Sequence, residues 1–179
     1  DTLHGPMVRW KDKTIRSRVV CWLDDHSRMV MHLEAYPDET WPSVEDSLRK
    51  AILKHGRPWR IFVDNGAAYS SKAFALACAE LGITKIHSTA HYPVSRGKQE
   101  RLFGTLRQQL VNEVENLAEP LTLEAFNRYL VAWAERYHET RHSKTQQTPR
   151  QRYTQTPVAP RPVTMDMLEF VFLQWTTRD

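Results

Sequence analysis

Apolar positions along this chain change their spacing from one stretch to the next, and each spacing predicts an element. Residues 18–23, Arg-Val-Val-Cys-Trp-Leu, form a short continuous apolar run, the mark of a buried strand. Asp24-Asp25-His26-Ser27 reads as a turn, and residues 28–34 read as a second strand, which makes a hairpin. Upstream, Met7 to Trp10 can pair with it across a Lys11-Asp12-Lys13-Thr14 turn. A helix is predicted over 43–55, where Val44, Leu48, Ala51 and Ile52 keep helical spacing. Ser43 is its expected N-cap, Asp46 its capping-box partner and Gly56 its stop. Arg60 to Val63 is a short strand ending at Asp64, and Asn65-Gly66 a turn. Ser71 to Leu81 is a helix closed by Gly82, and Ile83 to His87 a strand. Polar residues 88–96 read as a loop. A long helix then runs from Gly97 to about Glu115, with Leu102, Phe103, Leu106, Leu110 and Val114 as its buried stripe. A further helix starts after Thr122 and ends near Tyr137.

Three strands followed by helix, strand, helix, strand, helix predict an α/β domain, with a mixed five-stranded sheet flanked by helices. That order fits the RNase H-like fold, and it fits other α/β folds as well. After residue 139 the pattern fades. Residues 140–164 are basic and carry Pro149, Pro157, Pro160 and Pro162, as an extended surface linker would. Residues 165–179 turn apolar again.

Composition narrows the classes. The chain has 179 residues, enough for one domain with a real core and a small appendage. No apolar run reaches the roughly 20 residues of a membrane span, and no secretory signal is visible. Cys21 and Cys78 lie in apolar stretches without metal-ligand spacing, which suits reduced, buried thiols in a cytoplasmic protein. The net charge of +4 favours a polyanionic partner only slightly.

Three acids are placed where chemistry gathers. Asp64 follows a strand, and functional groups in open α/β sheets collect just past strand C-termini. Glu100 opens the long helix, with 35 residues (65 to 99) between it and Asp64. Asp1 opens the first strand region. Carboxylates held together repel one another and persist where a cation neutralises them. An all-oxygen set selects Mg²⁺ or Mn²⁺, and two such ions suit phosphodiester chemistry. Against this, the chain has 21 acidic residues, so such a trio is cheap, and Asp-Asn-Gly is more often a plain turn.

The surrounding residues carry more. Val63-Asp64-Asn65-Gly66 with Tyr69 and Ser70-Ser71 resembles the second-aspartate motif of the integrase core superfamily. Leu81-Gly82-Ile83, His87-Ser88-Thr89, Tyr92-Pro93 and Gly97-Lys98-Gln99-Glu100-Arg101 resemble its glutamate segment, at that family's spacing. Asp24 to Arg28 resembles the hairpin between the first two acids. Asp1 to Pro6, with Val8-Arg9-Trp10 and Ile15-Arg16, is similar to the first-aspartate strand of transposases of the bacteriophage Mu type. Trp133, Tyr137-His138, His142-Ser143 and Thr148-Pro149 resemble the segment that closes the core.

The resemblance covers about residues 1–150. It implies a DDE-type transposase or integrase core with an RNase H-like fold over residues 1–139. Asp1, Asp64 and Glu100 are then the catalytic triad and the ligands of two Mg²⁺ or Mn²⁺ ions. Its reactions are nicking at 3′ ends and DNA strand transfer. The implied partners are DNA ends and target DNA, other copies of the chain, and an ATPase helper in target selection; the implied location is the bacterial nucleoid. An RNase H-type nuclease and an inactive DNA-binding relative are the alternatives. The chain is expected to be a piece of a longer protein, with residues 165–179 leading into a C-terminal β-barrel. His91, Tyr92, Arg96, Lys98, Arg101, Arg107, Arg141 and Lys144 are the expected DNA contacts, because they flank the glutamate helix or its basic sequel. Gly104 shares a helix face with Glu100 and Arg107. Close approach of DNA, or packing against another helix, would explain a glycine there.

Overall fold

The computed structural model describes residues 1–87 and 97–176. The chain divides into two compact units, residues 1–38 with 93–157, and residues 39–92 with 158–179.

The first unit is built on an antiparallel meander of β1 (Thr2–Trp10), β2 (Lys13–Leu23) and β3 (Val30–Tyr36), in that order. The β1–β2 turn is tighter than expected. Trp10 already pairs with Lys13, and Lys11 takes a left-handed φ of 52°. The register of β1 against β2 shifts between His4 and Met7. At that bulge a Cβ on Gly5 would collide with the Ser17 hydroxyl, which donates to the Pro6 carbonyl at 2.9 Å, so only glycine fits. At the β2–β3 turn, the Asp24 carboxylate accepts from the Ser27 N–H (2.7 Å) and hydroxyl (2.6 Å). This is the turn-forming role expected of it.

Helices from the far end of the chain cover the meander. The expected long helix is present as α4 (Gly97–Leu106), a π-helical stretch (Arg107–Val111) and α5 (Asn112–Glu115). All five residues of its apolar stripe are buried. In the π-helical stretch, Gln109 accepts a hydrogen bond from the Trp133 indole at 3.0 Å. Helix α6 (Leu123–Glu139) is capped by Thr122, whose hydroxyl accepts from the Ala125 N–H at 3.1 Å. Its Phe126, Leu130 and Trp133 join Val8, Val19, Cys21 and Leu33 in one apolar cluster. The Asn127 side chain bonds both backbone groups of Ala35, at 2.7 and 3.0 Å, so a helix side chain stands in for a missing strand.

In the second unit β4 (Arg60–Val63) and β5 (Thr84–His87) pair in parallel. All five expected strands are present, and the described hydrogen bonding joins them as two ladders, one antiparallel and one parallel, rather than as one continuous sheet. Around β4 and β5 stand α1 (Trp41–His55), α2 (Ala67–Ser70) and α3 (Lys72–Glu80). Helix α1 starts two residues before the expected position. Thr40 is its N-cap and Pro42 lies in the first turn, where a missing N–H costs nothing. Ser43 is therefore a buried helical residue, and Asp46 pairs with Lys50 at 2.6 Å. Ser71 caps α3, accepting from the Phe74 N–H at 3.1 Å. Phe74 packs against Trp41 and Tyr69.

Two stretches differ from the sequence reading. The Pro-rich segment holds a short helix, α7 (Pro149–Thr154), started by a Thr148–Gln151 capping box. Further on, Arg161 exchanges two backbone hydrogen bonds with Arg57, and its guanidinium stacks 4.4 Å from the Trp59 ring. The apolar run at the end of the chain, expected to lead into a β-barrel, is itself helical, α8 (Met165–Thr176). Its Leu168, Val171 and Phe172 are buried at i, i+3, i+4 spacing, and the Thr164 hydroxyl accepts from the Met167 N–H. Among the described residues no helix is long and apolar enough to cross a membrane.

Candidate active site and nucleic-acid interface

Asp1 and Glu100 belong to the first unit and Asp64 to the second. Asp1 stands at the head of β1, where its backbone N–H and C=O both bond to Cys21 on β2 (3.1 and 2.9 Å). Its carboxylate accepts from the Thr2 N–H at 2.8 Å. The Gln99 side chain lies beside the Cys21 thiol, and Glu100 is the next residue in the first turn of α4. Cys21 thus bonds to the backbone of Asp1 and has Gln99, the residue before Glu100, beside its thiol. Burial pushes the Cys21 thiol up to about 11, so at this junction it is a neutral, inert group.

Asp64 follows β4 directly. Its carboxylate accepts from the Gly66 N–H at 2.9 Å, and its carbonyl lies 3.2 Å from Nδ1 of His87, the last residue of β5. The Asp-Asn-Gly turn is real, and it aims an acid from the C-terminal end of a parallel strand pair. Asp1 and Asp64 are half-buried and Glu100 is exposed. All three offer oxygen only, the donor set that suits Mg²⁺ or Mn²⁺. Among the described residues no group of three or more His, Cys, Asp or Glu side chains stands together in a way that could hold a metal ion.

The expected DNA contacts divide. His91, Tyr92 and Arg96 lie outside the described residues. Lys98 is held by an ion pair to Asp25, at 2.6 Å, which ties the start of α4 to the β2–β3 turn. Arg101 on α4 and Arg107 in the π-helical stretch are exposed. Among the described residues a Cβ added at Gly104 would meet nothing within 4 Å, so packing against them is not what calls for glycine there. Arg141 donates to the Gln146 carbonyl at 2.9 Å, and Lys144 is exposed.

A second centre of charge surrounds His142. Burial, and then the charges of Arg28, Arg101, Lys144 and Arg152, hold its imidazole below the ordinary histidine range. Arg28, His142 and Arg152 lay outside the expected site residues. The signals that could have found them are the hairpin motif ending at Arg28 and the basic run after α6. His138, four residues earlier, is buried and accepts the Val30 backbone N–H at 3.2 Å, which makes it a structural residue.

Residues 1–93 match the family model for the integrase core domain. The Gag-Pro-Pol polyprotein of bovine leukemia virus (isolate Australian) is 36% identical over 104 residues, covering 58% of this chain and 7% of the polyprotein. The simian T-cell lymphotropic virus intasome, solved in complex with PP2A regulatory subunit B56 gamma, has a chain that superposes with a TM-score of 0.67 at 28% identity. That match covers 92% of this chain and 56% of the other. The HTLV-2 integrase catalytic core domain in complex with magnesium (trimeric form) gives 0.60 at 23% identity, covering 85% and 91%, a likeness of fold. The chain spans less than a tenth of the curated relative's length.

Proposed function

The chain belongs to the integrase core domain family, and on that premise we propose that it is the catalytic core of an enzyme that cuts and joins DNA. The reaction assigned to it has two phosphoryl transfers. Water first attacks a phosphodiester and frees a 3′-hydroxyl at an element end. That 3′-oxygen then attacks phosphorus in target DNA; one P–O bond forms, another breaks, and the target strand leaves with its own 3′-hydroxyl. The family relatives named above are retroviral, so transposon and provirus are both admissible as the element.

Asp1, Asp64 and Glu100 are the residues that would hold two Mg²⁺ or Mn²⁺ ions. Such ions, when bound, activate an attacking oxygen and stabilise a leaving one. What the chain's own residues supply is placement. The Asx turn at Gly66 orients Asp64, and the β1–β2 ladder orients Asp1. The Lys98–Asp25 pair steadies the first turn of α4 beneath Glu100. Exposed Arg101 and Arg107, with the bare backbone at Gly104 between them, offer α4 and the π-helical stretch after it to a phosphate backbone. The intasome and the trimeric core among the relatives support work as an oligomer. An ATPase helper has no counterpart in the three relatives named.

The observation that supports this reading most is that Asp1 and Gln99, the residue before Glu100, both stand at Cys21 although they are distant in the chain. The experiment is strand joining by the full protein with Mn²⁺ and pre-cut DNA ends. Asp64→Asn should lower joining by roughly 1,000-fold with the fold retained, since several kcal/mol of charge stabilisation are lost. Joining at the parental rate would overturn the assignment. Cleavage without joined product would favour the nuclease.

A further inference from the structure

We propose that Arg28, Arg101, His142, Lys144 and Arg152 form a seat on the first unit for a backbone phosphate of DNA, apart from the three carboxylates. The proposal deepens the reading of the chain as a DNA-joining core and rests on it. It adds Arg28, His142 and Arg152 as contact residues.

The five residues come from four separate stretches. Arg28 ends the β2–β3 turn, Arg101 lies on α4, His142 and Lys144 follow α6, and Arg152 lies on α7. Arg28, Arg152 and His142 are held in place by contacts that leave their side chains at the cluster. Arg28 takes a left-handed φ of 68°, an unusual state for a side chain of that size, fixed by the bond from its N–H to the Asp24 carbonyl. Arg152 donates through Nε to the His26 carbonyl at 2.8 Å, which sets its guanidinium beside the same turn. The backbone of His142 bonds to Gln146 and Gln147, each at 2.9 Å. Its Nδ1 accepts from the Lys144 N–H at 3.3 Å. In the neutral ring the proton therefore sits on Nε2, which is a donor.

Of the acids near these residues in sequence, Glu100 beside Arg101 is one of the three carboxylates, and the others have partners of their own. Asp24 is bonded to Ser27, Asp25 pairs with Lys98, and Glu135 and Glu139 pair with Arg150. Like charges gathered together repel one another. Nη1 of Arg28 is buried with no hydrogen-bond partner among the described residues, and a donor left so costs stability. A phosphate answers both costs, because it brings negative charge and acceptor oxygens to guanidinium forks. Arg101 and Lys144 are exposed, so the cluster is open to a polymer and not only to a small ion.

The test uses the full protein without divalent metal, so that loss of joining activity cannot be mistaken for loss of this seat. Binding of a labelled duplex of arbitrary sequence is followed by fluorescence anisotropy against salt, and the His142 imidazole by NMR. Arg152→Gln and Lys144→Ala should each weaken binding and lower the log–log salt slope by about 0.9, the value of one phosphate contact. Arg28→Lys, which keeps the charge and loses the fork, should weaken binding less than Arg28→Ala. Lys54→Ala, on the exposed last turn of α1, should change nothing. The duplex should move the His142 resonances and raise the pH at which the ring titrates. Unchanged salt slopes in both first variants would overturn the proposal. So would His142 resonances that respond to inorganic phosphate and not to the duplex, since the seat would then serve a free anion.

Discussion

The first unit joins the start of the chain to helices that follow a hundred residues later, whereas the turn at Asp64 and the cap of α3 in the second close within a few residues. In the first, Asn127 completes Ala35 and His138 accepts from Val30, each across more than ninety positions. In the second, Asp64 turns onto Gly66 and Ser71 caps Phe74. A residue whose partner is a neighbour in the chain does the same work in any fold that keeps that neighbour. A residue whose partner is distant acquires its role only when the chain folds.

Four measurements would break or sharpen that contrast. The largest effect belongs to the two cores. Phe126→Ala in the first unit and Phe74→Ala in the second should each cost about 3–5 kcal/mol in denaturant unfolding, because both rings are fully buried. A large difference between them would mean that the units are unequally packed.

Each unit also holds one buried thiol, Cys21 and Cys78, both pushed up to about 11 by burial. A folded-state value above the unfolded one stabilises the protein fully below about pH 9. That contribution is lost as pH climbs toward 11, at about 3 kcal/mol per thiol once both states are ionised. Unfolding followed between pH 8 and 11 should show falling stability, and Cys21→Ala and Cys78→Ala should each flatten the decline.

The two histidines at the end of α6 should part company. His138→Ala leaves the Val30 N–H buried without its acceptor and should cost about 1–3 kcal/mol. His142→Ala should stay within about 0.5 kcal/mol, since its bonds lie in its own local turn. Equal losses would erase the distinction between a structural and a ligand-facing ring.

The smallest effect should be alike in both units. Thr122→Ala and Ser71→Ala each remove one local cap and should cost about 1 kcal/mol, read as faster amide exchange in the first turns of α6 and α3.

Much of this architecture was legible along the chain. Five strands and the main helices fall where the apolar spacing puts them, and the buried stripe of α4 and α5 is the expected one. Thr122 acts as the cap expected of it, because capping is a contact over three residues, and Ser71, expected as the first helical residue, is the cap of α3. The start of α1 was misjudged, since Ser43 and Pro42 compete for the same turn and proline at its first positions wins. The helix at residues 165–176 was not legible, because a short apolar run reads as strand or helix until a buried face exists to choose between them.

By itself the sequence determined the order of elements, the turns at Asp24 and Asp64, and the family to which residues 1–93 belong, since these depend on residues close in the chain. Tertiary structure alone decided that Gln99 meets Cys21 beside Asp1, that Lys98 is tied to Asp25, and that His142 lies among four cations. Those are pairings between distant segments, and neither spacing nor composition records which distant charges a fold will bring within each other's field.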